Sequence, residues 1–247
     1  MTFSIPLQAG IGFDHLFEKE IWMTVVLKKV LALKPNEAFV DVGVNLGQTL
    51  LKVKSTNLNI QYIGFEPNMT CVAYVNKLIS RNGLGSVQIF PVGISDNDGH
   101  AVLYHASDKL EDSSASIIKE FRDVSNLGQK IIITFSEDRL SFLQDHVLGV
   151  VKIDVEGAEL EVVGNLKSFI NKDRPIIICE ILPVYNIDNA FRLDRQNALI
   201  KIIKELKYLI YRIEIDGTLF EIDEIGIHSE IEDSNYLLVP LELKKFI

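Results

Sequence analysis

Four ionisable side chains could bind a small molecule and take a proton from it. Lys152, Asp154 and Glu156 alternate along an apolar run, so they share one face if a strand persists that far. Glu180 ends a second apolar run. Carboxylates at adjacent strand ends raise one another's pKa, which yields a base, or they bind a divalent cation together. We therefore take all four as candidate catalytic residues, with Asp154 and Glu180 as the ligands if a metal is bound.

The charged residues of this region also have structural interpretations, which we weigh against the functional ones. Glu156 and Glu159 precede or begin a predicted helix over 158–170, where acids are favourable at the positive end of the dipole, and we prefer this role for Glu159. For Asp154 we prefer a functional role, because a carboxylate at the mouth of a core strand is costly without one. For Lys152 we favour a buried ion partner of these acids over a direct catalytic role.

A glycine turn at residues 39–49 is the second chemical feature. An apolar, β-branched run ends at Asp41, and Gly43 and Gly47 precede a segment with helix-forming character. Ligands of open α/β sheets bind at the carboxyl ends of the strands, and glycines let the backbone approach them closely. Asp41 is placed to accept hydrogen bonds from a cationic ligand group, or else to cap a turn.

The spacing of this turn separates two classes of nucleotide ligand. A dinucleotide fingerprint has glycines at its first, third and sixth positions, but counting from Gly43 the third is Asn45 and the sixth is Gln48. An acidic residue, Glu66, ends the next apolar run, 19 residues after Gly47 (66 − 47). Such a residue is placed to hold both ribose hydroxyls. The turn then faces a carboxylate or amine rather than a pyrophosphate.

Strands and helices alternate along the chain, as in a parallel sheet covered on both faces. We predict helices at about residues 13–33, 49–54, 68–81, 136–146, 158–170 and 194–206. Besides the opening strand, we predict strands at about 60–67, 87–95, 101–105, 131–135, 149–157, 175–180, 208–215 and 236–240. Residues 96–99 and 216–217 are hairpin signals, and the second suggests an antiparallel edge. Residues 107–130 form a long polar loop, of a length that is often functional.

The composition limits the function classes. The 247-residue chain carries a net charge of −9, which argues against a nucleic-acid partner held through its phosphates. Cys71 and Cys179 lie far apart in apolar runs, so we expect two buried, reduced thiols and no zinc site. No signal peptide or transmembrane segment is evident, and we expect a cytoplasmic protein.

Six segments of the sequence resemble the FkbM-type S-adenosylmethionine-dependent methyltransferases. They are residues 39–49, 64–67, 93–99, 151–163, 175–180 and 235–240, among which the run Lys-Ile-Asp-Val-Glu-Gly-Ala-Glu from Lys152 is the most distinctive. Val44 departs mildly from the alanine usual after the first glycine. The resemblance implies the class I methyltransferase fold, a Rossmann-like α/β/α arrangement around a seven-stranded, mostly parallel sheet with one antiparallel strand. We expect a single domain over 1–247, with a helical cap at 1–35, a cofactor-binding core at 36–182 and closing elements at 183–247.

The resemblance also assigns cofactor contacts by position. Asp41 would receive the amino group of S-adenosylmethionine, and Glu66 would hold its ribose. Ser95 and Asp96 fall where such folds contact adenine, although hairpin chemistry explains Asp96 equally well. Gly43, Asn45 and Gly47 would line the methionine part of the cofactor. Gln48 and Thr49 complete the set of cofactor-binding residues in the turn.

The implied reaction is methyl transfer to a hydroxyl, often on a sugar of a polysaccharide or glycolipid, or on a natural product. Catechol-type O-methyltransferases place metal-binding acids at similar strand ends, which leaves a divalent metal open. The acceptor is then a small molecule or a glycan; His105 and residues 113–116 either face it or belong to a surface loop, which we prefer. Two rivals remain: an NAD-dependent oxidoreductase on a doubly wound fold, which the glycine spacing opposes, and a non-catalytic module that keeps the cofactor pocket.

Overall fold

The computed structural model describes residues 2–8, 11–17, 20–105, 115–121 and 128–247. The strands are β1 (Ala38–Val42), β2 (Tyr62–Phe65), β3 (Val87–Phe90), β4 (Gly93–Ile94), β5 (Gly99–His105), β6 (Gly128–Phe135), β7 (Leu148–Ile153), β8 (Ile176–Glu180), β9 (Tyr208–Ile213), β10 (Leu219–Ile222) and β11 (Asn235–Pro240). The α-helices are α1 (Ile21–Leu33), α2 (Gln48–Thr56), α3 (Met69–Asn82), α4 (Glu159–Asn165), α5 (Lys167–Asp173) and α6 (Ala190–Glu205). Short 3-10 helices include Phe13–Leu16, Lys119–Phe121 and Glu137–Asp145.

The main sheet has eight strands in the order β10-β9-β11-β8-β7-β1-β2-β3. Strands β8, β7, β1, β2 and β3 run parallel, whereas β11 is antiparallel to both β8 and β9. The predicted turn around Gly217 is present and adds β10, antiparallel to β9. This order agrees with the expected class I methyltransferase fold, but among the described residues the sheet has eight strands with two antiparallel ones, not seven with one.

Two apolar cores cover the two faces of this sheet. Successive strand side chains point to opposite faces, so in β1 Phe39 joins one core while Val40 and Val42 join the other. Helices α1, α2 and α3 cover the first face, and α4, α5 and α6 cover the second. This three-layer arrangement leaves the carboxyl ends of the parallel strands at one edge. The division into a cap, a core and closing elements remains a prediction.

The predicted helix over 13–33 is interrupted. A 3-10 turn at Phe13–Leu16 and the helix α1 are separate elements, and Glu20 before α1 has a φ of 54°. Phe13, Ile21 and Val25, which lie within the predicted helix, are exposed. The buried residues of α1 are Trp22, Met23, Val26, Leu27, Val30 and Leu31. The prediction of one continuous helix was wrong because the helical spacing was extended across Glu20, whose backbone is left-handed.

The predicted third strand is also two elements. It stops at Phe90, and β4 belongs to a second sheet with the order β4-β6-β5. The expected hairpin at 96–99 is wrong, because β6 lies between β4 and β5, pairing parallel with the first and antiparallel with the second. Of the long polar loop, residues 106–114 and 122–127 lie outside the described residues. The predicted helix over 158–170 is broken at Leu166 into α4 and α5.

A buried lysine fastens the amino-terminal ends of β2 and β3. Lys54 is 1% exposed, and its ammonium donates to the carbonyl oxygens of Ile60 and Gly85, each at 2.8 Å, and of Leu58 at 3.1 Å. A fourth carbonyl, that of Ser86, lies 3.4 Å away. Burial lowers the pKa of Lys54.

No helix among the described residues is long and apolar enough to cross a bilayer.

Candidate cofactor and active site

A cavity of about 330 Å³ opens where β1, β2, β7 and β8 end. The turn after β1 and the strand end at Glu66 form one side of it, and the carboxylates after β7 and β8 form another. Apolar side chains close the rest; they include Phe65, Ile94, Leu103 and Ile117. A cavity of this size, mainly apolar with a few convergent polar groups, has the character of a small-molecule site.

The glycine turn fits closely against the end of β7. Gly43 has a φ of 90°, and a Cβ placed on it would lie 1.9 Å from the backbone carbonyl oxygen of Asp154. The Gly43 N–H donates to the Phe65 carbonyl oxygen at 2.9 Å, which ties the turn to β2. Gly47, with a φ of 85°, is the N-cap residue that precedes α2. The turn therefore requires glycine at position 43 for both backbone conformation and space.

Glu66 links this turn to the next strand end. One carboxylate oxygen accepts the N–H of Asn45 at 2.7 Å, and the other accepts the N–H of Asn68 at 2.8 Å. The side chain lines the cavity and is 7% exposed. Burial raises the pKa of Glu66 to about 7, against the opposing effect of the two N–H donors. A carboxylate has about four acceptor sites, so two N–H bonds leave acceptors for a ligand.

The other predicted cofactor contacts divide into two groups. Gly43, Asn45, Gln48 and Thr49 line the cavity, and Gly47 holds the turn without lining it. Ser95 and Asp96 do not line it either: the Ser95 N–H donates to a carbonyl of β6, and Asp96 accepts the side-chain amide of Asn165 at 2.9 Å. The chain passes the cavity two residues earlier, at Gly93 and Ile94. The adenine contacts of Ser95 and Asp96 therefore stay a prediction, and among the described residues Gly93 and Ile94 form this part of the cavity wall.

Asp41 is held under the cavity rather than in it. Its side chain is fully buried, accepts a hydrogen bond from the Tyr62 hydroxyl, and lies 3.5 Å from the Lys152 ammonium. Asp41 and Lys152 are register partners on β1 and β7, which places them side by side on one face. Burial raises the pKa of Asp41, and Lys152 opposes that rise. Asp41 does not line the cavity, and its contact with a cofactor amino group stays a prediction.

Lys152 joins Asp41 to the cavity. Its ammonium lies 3.0 Å from Asp154 Oδ2 and 3.5 Å from the Gly43 carbonyl oxygen. Although burial disfavours the charged form, Asp154 and Asp41 together raise the pKa of Lys152 well above its usual value. The ammonium therefore stays charged and serves as the common ion partner of the two acids, the role that we favoured over direct catalysis.

Three carboxylates converge on the far side of the cavity. Strand β7 ends at Ile153 and Glu156 has a φ of 56°, so Lys152, Asp154 and Glu156 do not alternate along one strand as predicted. The turn nevertheless brings oxygens of Asp154, Glu156 and Glu180 within 4.8 Å of one another.

The protons of this cluster are unequally held. Burial and the neighbouring Asp154 raise the pKa of Glu180 to about 10. Burial also disfavours an ionised Asp154, but Lys152 and a hydrogen bond from Glu180 lower its pKa below the ordinary value. The expectation that the pKa of both acids would be raised is wrong for Asp154. At neutral pH an ionised Asp154 and a protonated Glu180 share one proton.

Neighbouring polar residues have local partners. Glu159 opens α4 and accepts the Gly157 N–H at 2.9 Å, which agrees with the structural role that we preferred for it. His105 ends β5, and its ring covers Gly128 on the paired strand β6.

Cys71 and Cys179 are buried free thiols, as predicted, and Cys71 contacts the cavity.

Sequence reasoning missed several residues that line the cavity. Glu20 reaches it from the segment before α1, where its carboxylate also bonds Lys52 at 3.1 Å. Leu103 reaches it from β5 and Ile117 from the segment that follows; Ala115, in the run 113–116 that we preferred as a surface loop, lines it as well. These residues are distant in sequence from both motifs and carry no spacing signal of their own.

Solved structures of other proteins share this fold. The FkbM methyltransferase of Methylobacillus flagellatus KT aligns with 14% identity and a TM-score of 0.51, over 82% of this chain and 43% of that one. Cofactor-bound Rv0187 from MTB aligns with 10% identity and a TM-score of 0.51, over 96% of this chain and 84% of that one. A comparison with curated proteins gives no match.

A family model covers most of the chain. The Methyltransferase FkbM domain matches residues 41–213, a range that contains the glycine turn, Glu66 and the three carboxylates. This match confirms the resemblance noted in the sequence and the expected enzyme class, an S-adenosylmethionine-dependent methyltransferase. Glu20 lies before the matched range. The chain belongs to the FkbM methyltransferase family.

Proposed function

We propose that this protein is an O-methyltransferase that transfers the methyl group of S-adenosylmethionine to a sugar hydroxyl. The observation that carries the proposal is one cavity with two chemically distinct sides. The glycine turn and Glu66 form the side suited to the cofactor, and Asp154, Glu156 and Glu180 form the side suited to an acceptor. Family membership supports the cofactor, and the acidic side supports the hydroxyl.

The residues present fit S-adenosylmethionine. Glu66 keeps acceptors free for the ribose hydroxyls, while Asn45 and Thr49 of the turn are placed to meet the methionine part. The Asn45 N–H bond to Glu66 at 2.7 Å fixes the carboxylate and the turn relative to one another. When bound, the cofactor supplies an electrophilic methyl group on a sulfonium. The chain then has to position the acceptor oxygen and receive its proton.

The pair Asp154 and Glu180 is the proposed proton acceptor. Asp154 is ionised because Lys152 lies 3.0 Å away, and its carboxylate lines the cavity. Lys152 in turn is fixed by Asp41, which does not line the cavity. We assign the hydroxyl proton to the shared Asp154–Glu180 system rather than to Lys152, whose pKa is raised and which stays protonated.

The charge of the acceptor side supports a neutral acceptor. Glu20, Asp154 and Glu156 line the cavity together with Glu180, whereas the ammonium of Lys152 is already shared between two acids. A phosphate or carboxylate near the reacting hydroxyl would meet these acids and be repelled. Sugar hydroxyls donate hydrogen bonds to carboxylates, so a neutral sugar agrees with this wall.

The converging carboxylates favour one alternative to proton transfer, a bound divalent cation. Asp154, Glu156 and Glu180 offer hard oxygen ligands of the kind that Mg²⁺, Mn²⁺ and Ca²⁺ prefer. Titration with MnCl₂, followed by thermal unfolding, separates the two. A Mn²⁺-dependent rise in melting temperature that Glu180→Gln abolishes would favour the cation, and no rise in the wild type would favour the proton-sharing pair.

Two experiments test the proposed function. Thermal shifts with S-adenosylhomocysteine and with NAD decide the cofactor class. Stabilisation by NAD alone would refute S-adenosylmethionine as the cofactor. Release of S-adenosylhomocysteine is then measured across neutral, amino and acidic sugars. We expect turnover with neutral sugars, a loss of more than about 100-fold in Asp154→Asn, and unchanged turnover in the control Asp188→Asn, which alters an exposed surface carboxylate. Binding of S-adenosylhomocysteine without turnover of any acceptor would instead support a non-catalytic module.

A further inference from the structure

We infer that Arg192 is a positioning residue that holds one wall of the cofactor cavity in place through Phe121. The wall is residues 115–121, which we call the strap. Ala115 and Ile117 of the strap line the cavity, and Phe121 ends it. The inference rests on the proposed function, because it concerns how the same cavity is kept ready for its cofactor.

One end of the strap is joined to the small sheet. Ser116 exchanges two backbone hydrogen bonds with Tyr104 of β5, at 2.8 and 2.9 Å. Ser116 is fully buried, and its hydroxyl accepts the Ile118 N–H at 3.0 Å. These bonds set the backbone of the strap beside Leu103, which is itself a cavity residue. They leave the other end of the strap to be fixed by different contacts.

Arg192 of α6 fixes that other end. Its guanidinium lies 4.5 Å from the centre of the Phe121 ring and donates to the Phe121 carbonyl oxygen at 3.2 Å. A second donor of the same group reaches the Pro183 carbonyl oxygen at 3.0 Å, after β8. Arg192 is 9% exposed, so these contacts are made away from water, where both cation–π and charged hydrogen bonds are strongest.

Phe121 also contacts the turn that carries the acidic cluster. Its ring lies against Gly157, where an added Cβ would stand 2.5 Å from the ring, and Gly157 has a φ of 108°. Arg195 donates to the Gly157 carbonyl oxygen at 2.9 Å, and its guanidinium lies 5.9 Å from the centre of the Phe121 ring. The Phe121 anchor thus links the strap to the residue that follows Glu156. Loss of the anchor would loosen the apolar wall first and the acidic turn second.

The test compares Arg192→Ala with Arg174→Ala. Arg174 makes a similar set of contacts, a ring at 4.7 Å and a carbonyl oxygen at 2.6 Å, but against Tyr208 and Leu206, which do not line the cavity. Calorimetry measures the Kd for S-adenosylhomocysteine, and thermal unfolding measures stability. Trypsin cleavage after the exposed Lys119 reports the strap itself.

We expect Arg192→Ala to raise this Kd by about tenfold, since a ligand that needs the strap in place loses affinity with the population of that state. Cleavage at Lys119 should become faster, and the ligand should slow it again. Arg174→Ala should lower the melting temperature by a similar amount without changing the Kd. Arg192→Lys, which keeps the charge but loses the planar guanidinium that donates to both carbonyls and covers the Phe121 ring, should fall between.

Several results would overturn the inference. A Kd for Arg192→Ala within twofold of that for Arg174→Ala would show that the strap needs no such anchor, as would unchanged cleavage at Lys119. If Arg192→Ala does not fold, Arg192→Lys and Phe121→Leu decide by the same two readouts. Failure of the wild-type protein to bind S-adenosylhomocysteine would instead refute the proposed function, and the strap's role with it.

Discussion

Replacing Lys152 by methionine should expose the balance of charge beneath the cavity. The ammonium lies 3.5 Å from the fully buried Asp41 and 3.0 Å from Asp154, whose side chain is 35% exposed. Water can partly solvate Asp154 after the change, but it cannot reach Asp41. Removing one partner of a buried ion pair costs about 3–5 kcal/mol, mostly as the penalty of the charge left behind.

This loss is measurable as stability and depends on pH. For a chain of this length, 3–5 kcal/mol lowers the melting temperature by roughly 10 °C. Burial already raises the pKa of Asp41, and loss of the ammonium raises it further. Because the folded variant then holds a proton more tightly than the unfolded chain, its stability falls as pH rises through that pKa. The deficit against the wild type should therefore be larger at pH 8 than at pH 5.

The double variant Asp41→Asn, Lys152→Met provides the control. It removes the buried charge together with its partner, so it should recover much of the lost stability, and the pH dependence of the deficit should shrink. Urea unfolding of the four proteins in the cycle gives the interaction energy directly. A loss below about 1 kcal/mol in Lys152→Met, or a double variant no more stable than the single one, would refute this account of the ion network.

Other consequences follow from the turn and its neighbours. Because burial raises the pKa of Glu66 to about 7, the Kd for S-adenosylhomocysteine should rise about tenfold from pH 8 to pH 6, as the ionised acceptor is lost, and Glu66→Gln should remove that dependence. Gly43→Ala should cost about 3–5 kcal/mol, since its φ is 90° and its Cβ would meet a carbonyl oxygen, as urea unfolding would show. Gly164→Ala, with open space around its Cβ, should instead stabilise α4 by up to about 1 kcal/mol. Tyr62→Phe, which deprives the buried Asp41 of a donor, should cost about 1–3 kcal/mol in the same assay.

Each of these expectations has an opposing result. A Kd that stays constant between pH 6 and pH 8 would contradict the role of an ionised Glu66. Equal stability changes for the two glycine variants would show that the turn tolerates a side chain. A neutral effect of Tyr62→Phe would mean that the hydroxyl does not stabilise the buried carboxylate.

The motifs that the sequence predicted well are those set by local backbone chemistry. The turn after β1 lies where its glycines predicted it, and Glu66 directly follows β2 beside it. Both depend on residues close in sequence and on the rule that parallel strands end at one edge. The convergence of Asp154 with Glu180 follows from the same rule, because β7 and β8 are neighbours.

The features that the sequence did not predict depend on contacts between distant segments. Asp41 was assigned to the cofactor because it ends an apolar run. In the structure Asp41 is the register partner of Lys152, so its carboxylate forms a buried ion pair with that ammonium. Glu20 reaches the cavity from the position directly before α1, where its own backbone is left-handed. Arg192 and Phe121 meet across 71 positions, and no local pattern announces such a pair.

Lys54 gives this protein an internal reporter of its own opening. Its amine, 1% exposed and shared among neighbouring carbonyl oxygens, is closed to acylating reagents as long as the beginnings of β2 and β3 stay together. Lys201, exposed on α6, reacts in the native state and calibrates the reagent. The ratio of the two labelling rates, read by mass spectrometry, therefore gives the free energy of local opening at that end of the sheet, without denaturant and without an engineered probe.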